Sequence, residues 1–165
     1  HVGTVVGFPH GNSATATKVF ETKQVVADGA TEIDVVINIG WMKSGMYDEV
    51  REEIAAVVAA ASGNQVKVIL ENAYLTKEEI VKACQLCEAA GADYVKTSTG
   101  FAASGATPEV IALMRKTVGD RLGVKASGGV RTLDALIDMA EAGASRVGAS
   151  GTTAILLEFA EKSSE

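Results

Sequence analysis

The stretch A-D-Y-V-K-T-S-T-G-F, Ala92 to Phe101, decides how the rest of the chain is read. Tyr94, Val95 and Thr97 favour a strand, and Gly91-Ala92 before them marks the exit of a helix. Lys96 then stands in the middle of that strand. A lysine inside an apolar strand is costly unless its charge is used or its amine is held neutral. Thr97, Ser98, Thr99 and Gly100 follow, small hydroxyls and a glycine suited to a phosphate or sugar site. Taken alone, the stretch fits an edge strand whose lysine reaches out to water. The flanking sequence favours the other reading.

Working outward, strand and helix patterns alternate. Strand-like runs begin near Gly3, Ile33, Val66, Tyr94, Gly123 and Arg146, and each precedes a helical pattern. Their spacing of roughly 30 residues is that of a βα unit. Short apolar strands between helices predict a parallel sheet covered on both faces. Thr76 with Glu79 is a capping box, and Thr107-Pro108 and Thr132 are further helix starts. The spacing predicts inward faces of Val50, Ile54, Val57, Val58 and Ala61, then Ile80, Cys84 and Cys87. It predicts Val110, Leu113, Met114 and Thr117 for the next helix, and Leu133, Leu136, Ile137 and Ala140 for the one after. A weaker helix over about Ser13 to Ala27 has Val19 and Val26 as its clearest anchors.

The segments beginning at Gly29, Gly91 and Gly143 repeat one another. They align Asp34, Lys96 and Gly148 on the second, fourth and sixth strands. Alternate strands of a (β/α)8 barrel contribute side chains to one interior layer. The repeat therefore predicts an acid and an amine facing a gap left by a glycine, with Val36, Ser98 and Ser150 one layer on. Lys125, in G-V-K-A-S-G-G, lies on the strand next to Lys96. Like charge and burial both lower a lysine pKa, and moving one from ~10.4 to 7 costs its ammonium roughly 4 kcal/mol. A neutral amine is the species that attacks a carbonyl to form a Schiff base. Ser127-Gly128-Gly129 and Gly148-Ala149-Ser150-Gly151 close the last two strands and suit a phosphate against backbone N–H groups.

Other features point less far. Cys84 and Cys87 have CxxC spacing but fit the core face of one helix, and there is no second pair. His1 and His10 cannot assemble a metal cluster. Glu71 and Asn72 end the third strand with an open role, and Trp41 and Met42 read as loop packing. The 165 residues suit a single domain over 1–165, and 47% hydrophobic content suffices for a sizeable core. A net charge of −6 argues against nucleic acid, which demands basic surface. No apolar run reaches membrane-spanning length and no signal peptide is visible, which together with the sparse cysteines points to a cytoplasmic protein.

Glu32 to Asn38 (E-I-D-V-V-I-N), Tyr94 to Gly100, Gly123 to Thr132 and Arg146 to Ser150 resemble the signature strands of the deoxyribose-phosphate aldolase family. So does the opening T-V-V-G-F-P-H-G, Thr4 to Gly11. The resemblance runs through essentially the whole chain. It implies a TIM barrel and a class I aldolase that needs neither metal nor cofactor. The expected reaction is reversible cleavage of 2-deoxy-D-ribose 5-phosphate to acetaldehyde and D-glyceraldehyde 3-phosphate. By motif, Lys96 is the Schiff-base lysine, Lys125 the neighbour that depresses its pKa, and Asp34 the proton-relaying carboxylate. Gly100, Gly128, Gly129 and Ser150 would hold the phosphate.

Two departures accompany the resemblance. Six strands are counted where a barrel has eight, corresponding to barrel strands three to eight. The C-terminal run Glu161 to Glu165 lacks the tyrosine that some members use in proton transfer. Unpaired first and last strands predict a homo-oligomer, a dimer or larger. Two other readings stay open: a truncated, inactive barrel, and a different phosphate-binding barrel, an isomerase or synthase with Asp34 or Glu71 as base.

Overall fold

The computed structural model describes residues 1–163; Ser164 and Glu165, the end of the polar C-terminal run, lie outside them. Six strands form one parallel sheet in chain order: β1 (Gly3–Val6), β2 (Glu32–Val36), β3 (Gln65–Ile69), β4 (Tyr94–Lys96), β5 (Gly123–Ser127) and β6 (Arg146–Gly148). Between and after them run α1 (Thr15–Ala27), α2 (Ile39–Lys43), α3 (Tyr47–Ala60), α4 (Lys77–Ala89), α5 (Pro108–Val118), α6 (Leu133–Glu141) and α7 (Thr152–Lys162). A 3-10 turn, Asn72–Tyr74, precedes α4. The sheet is strongly curled. Arg146 on β6 reaches Glu32 on β2, Nη1 to Oε2 2.5 Å, across the inside. This is the TIM-barrel arrangement, with six βα units present.

Strand starts fall where the apolar runs placed them, because each run is bounded by glycine or polar residues. β4 is central, paired with β3 and β5, so Lys96 is no edge lysine. The capping box forms as expected: Thr76 Oγ1 accepts from the Glu79 N–H, and the Glu79 carboxylate accepts from the Thr76 N–H. Thr107 and Thr132 cap α5 and α6 with their hydroxyls. Between the sheet's outer face and the helices lies a core including Val35, Ile54, Val66, Val68, Cys84, Val95, Met114 and Val124.

Several faces differ from the periodicity reading. α1 buries Lys18 and Thr22, with Val19 and Val26 only half-buried. Lys18 is completely enclosed; its Nζ donates to Glu53 Oε1 on α3 at 2.6 Å and to the Val36 carbonyl at 2.8 Å. Burial lowers the Lys18 pKa and raises that of Glu53, and the short contact opposes both shifts. α5 turns Ile111, Met114 and Val118 inward, one position round from the expected stripe apart from Met114. In α6 the buried residues are Leu133 and Met139, whereas Ile137 is exposed. Trp41 and Met42 lie on α2, with Asn38 Oδ1 accepting from the Trp41 N–H, and Met42 enters the core.

Candidate active site

β2, β4 and β5 bring three charged side chains to one point inside the curled sheet. Lys96 Nζ and Lys125 Nζ each lie 2.7 Å from the same atom, Asp34 Oδ2. Lys96 and Lys125 are register partners on β4 and β5, so they point the same way. Asp34 is 6% exposed and Lys96 8%. Burial pushes the Asp34 carboxyl up, but the two ammoniums outweigh it and hold the group at about 2. For Lys96 the order is reversed. Burial lowers its pKa and is the largest effect, Asp34 opposes it, and Lys125 and Lys67 add a smaller push downward. Repulsion by Lys125, expected to share the leading role, is thus secondary to desolvation.

Lys67 is the member of this cluster that the sequence reading missed. It is fully buried on β3, 3.1 Å from Asp34 Oδ1 and 2.7 Å from Glu32 Oε2. Glu32 in turn holds Arg146, and these two cations keep its carboxyl below the usual range. Asp34 is therefore gripped on both oxygens, by Lys67 from below and by the lysine pair on the other side. Register brings it in: Asp34 pairs with Lys67 across β2 and β3, so the two share a face.

The glycine expected opposite the acid–amine pair serves a neighbour. A Cβ on Gly148 would lie 2.9 Å from Ser127 Oγ and 3.4 Å from Lys125 Cε. The space it leaves is taken by those two side chains from β5. Next to them opens a cavity of about 380 Å³, lined by Lys96 and Lys125 at its floor. All four residues expected at a phosphate, Gly100, Gly128, Gly129 and Ser150, line it together. So does Arg131, which the sequence reading quoted but gave no role. Gly100, Gly128 and Gly129 have φ of +91°, +83° and +83°, a region open to glycine and strained for other residues. Gly105 packs so closely on Gly128 that a Cβ there would lie 2.2 Å from the Gly128 carbonyl oxygen.

Glu71, whose role the sequence left open, braces this rim. It is buried with φ of +53°, a conformation unusual for a non-glycine residue. Its carboxylate accepts from the Thr99 N–H at 3.2 Å and from the Thr99 hydroxyl. Cys84 and Cys87 are buried and unpaired, and burial pushes the Cys84 thiol up to about 12, as core packing expects. Among the described residues no three His, Cys, Asp or Glu side chains converge as metal ligands would.

Comparison with known proteins finds close relatives of the whole chain. Residues 1–160 match the family described as DeoC/LacD family aldolase. A deoxyribose-phosphate aldolase of Staphylococcus epidermidis is 59% identical over 155 residues, which are 94% of this chain and 70% of that protein. Among solved structures, one described as QR15, an aldolase, superposes with a TM-score of 0.94 at 45% identity, covering 98% of this chain and 73% of the other. The tetrameric deoxyribose phosphate aldolase of Aeropyrum pernix superposes with a TM-score of 0.87 at 34% identity, covering 95% of this chain and 67% of the other. With its curled parallel sheet and its pair of lysines on one aspartate, the chain belongs to the DeoC/LacD family of aldolases.

Proposed function

We propose that the chain cleaves 2-deoxy-D-ribose 5-phosphate reversibly to acetaldehyde and D-glyceraldehyde 3-phosphate through an imine on Lys96. The observation that carries this is the pair of amines on one buried carboxylate oxygen, opening into a cavity rimmed by glycines. The neutral Lys96 amine attacks C1 of the open-chain sugar, and loss of water leaves a protonated imine. This cation draws the electrons of the C2–C3 bond as the C3 hydroxyl gives up its proton. Glyceraldehyde 3-phosphate departs, leaving an enamine that takes a proton at C2. Water then returns acetaldehyde and the free lysine. Asp34 relays these protons, directly or through water, and Lys125 holds it in place while discouraging the ammonium form of Lys96. Gly100, Gly128, Gly129 and Ser150 receive the phosphate.

Reduction of the acetaldehyde imine with borohydride tests this. The peptide bearing Lys96 should gain about 28 Da, an N-ethyl group on the nucleophilic amine. An adduct that persists in Lys96→Arg, or that maps only to Lys125, would reassign the nucleophile. We further propose a cytoplasmic protein that self-associates. Two free buried thiols suit a reducing compartment, and the helices that follow both outer strands carry exposed apolar side chains.

A further inference from the structure

We propose that Ser127 Oγ binds the C4 hydroxyl of the sugar phosphate, the hydroxyl at C2 of the glyceraldehyde 3-phosphate half. Ser127 is 6% exposed, lines the cavity that holds Lys96 and Lys125, and among the described residues its hydroxyl finds no hydrogen-bond partner. The backbone beneath it is fixed. The Ser127 N–H donates to Thr97 Oγ1 at 3.0 Å, and its carbonyl accepts from the Thr97 hydroxyl at 3.0 Å and from the Ala106 N–H at 3.1 Å. Only the side-chain hydroxyl is left to be satisfied, and buried polar groups in native proteins find partners. Ser98 Oγ is also without one, but it packs behind Gly128 and does not line the cavity.

Position along β5 selects the substrate atom. Lys125 and Ser127 follow one another up the strand, and Gly128-Gly129 come just past its end. Residues two apart in a strand share a face, so Ser127 sits one step above the lysine pair and directly below the glycines. The substrate has the same order: C1 at the imine, the C3 oxygen that exchanges a proton, the C4 hydroxyl, then the phosphate on C5. The C3 oxygen is matched to the proton-relaying Asp34 cluster, and the phosphate to the glycine rim. The hydroxyl left between them is that of C4. The absence of a Cβ at Gly148 gives the serine hydroxyl its room. This inference rests on the imine reading above.

The test runs the reaction in the direction of addition. Acetaldehyde is the donor, and the acceptor is either D-glyceraldehyde 3-phosphate or 3-phosphooxypropanal, the same aldehyde without its hydroxyl. The ratio of kcat/KM for these acceptors should favour the hydroxylated one in the parent protein. It should fall about tenfold in Ser127→Ala, since a site built to bond a hydroxyl loses that preference when its partner is removed. Ser127→Cys, close in size but a weak hydrogen-bonding group, should fall in the same direction. A ratio unchanged in both variants, or a parent protein indifferent to the hydroxyl, would overturn the assignment. Failure of the imine itself is separately visible, as loss of the borohydride adduct in the parent protein.

Discussion

The carboxyl of Asp34 sits at about 2 because two ammoniums face one of its oxygens, and that has a consequence for stability. A carboxyl whose folded pKa lies below its ordinary value stabilises the fold above that ordinary value. The contribution is lost as pH falls through the folded one. Urea midpoints should therefore decline between about pH 4 and pH 2, and Asp34→Asn should flatten that decline. For Lys96 the sign concerns rate. Its pKa is lowered, so the neutral nucleophile appears below the ordinary lysine range, and the acid limb of the rate profile should lie there too. Removing a neighbouring cation favours the ammonium. Lys67→Met and Lys125→Leu should each move that limb to higher pH, read from kcat/KM against pH. Because burial outranks both neighbours, neither change alone should return Lys96 to the ordinary value; a full return would show that charge repulsion governs it. Asp34 and Lys96 were legible in the sequence because acid and amine recur at the same offset after a glycine, and Lys125 because its strand carries G-V-K-A-S-G-G beside that of Lys96. Lys67 escaped because it lies outside that repeat, is followed by Val-Ile-Leu where Lys125 is followed by Ala-Ser-Gly-Gly, and joins the cluster only through strand register.

At the scale of elements, the junction after β3 and the turn after β4 form a unit. Glu71 grips Thr99 at its N–H and its hydroxyl, and Thr99 leads into Gly100 at the cavity rim. Glu71→Ala should loosen that turn, raising KM for 2-deoxyribose 5-phosphate several-fold while leaving KM for unphosphorylated 2-deoxyribose nearly unchanged. Equal effects on both substrates would mean that Glu71 supports the lysine cluster instead. A second unit joins α1 to α3 through the enclosed Lys18–Glu53 pair. Lys18→Met leaves a buried carboxylate alone and should cost about 3–5 kcal/mol in urea denaturation, whereas Lys18→Met with Glu53→Leu should recover most of it. That pair also explains why α1 read poorly: its buried residues are a lysine and a threonine, which an apolar-periodicity search discounts. The strands and capped helix starts read well because they depend on local sequence. The inward stripes of α5 and α6 depend on how each helix rolls against its neighbours, and partial periodicity left more than one roll open.

The sheet has two unpaired edges among the described residues. Among the described residues β1 pairs only with β2, and β6 only with β5. β1 leaves Val5 partly exposed, and beside Asp34 and Lys125 a small cavity of about 160 Å³ opens along this strand. The helices that follow the two edge strands carry apolar surface outward, Phe20 of α1 at 70% exposure and Leu156, Leu157 and Phe159 of α7 at 56–61%. Unpaired backbone beside exposed apolar side chains invites association, because both are satisfied when a second copy covers them. Self-association would also shield the Asp34 cluster from the side on which β1 leaves it open. Light scattering should therefore show a dimer or larger species. Thermal melting should shift upward with protein concentration, since folding and association are then linked. Phe20→Glu and Leu157→Glu, on exposed positions that contribute little to the core, should each lower the apparent mass without lowering helix content. A species that stays monomeric at high micromolar concentration, with a melting temperature independent of concentration, would show that these edges are tolerated in isolation.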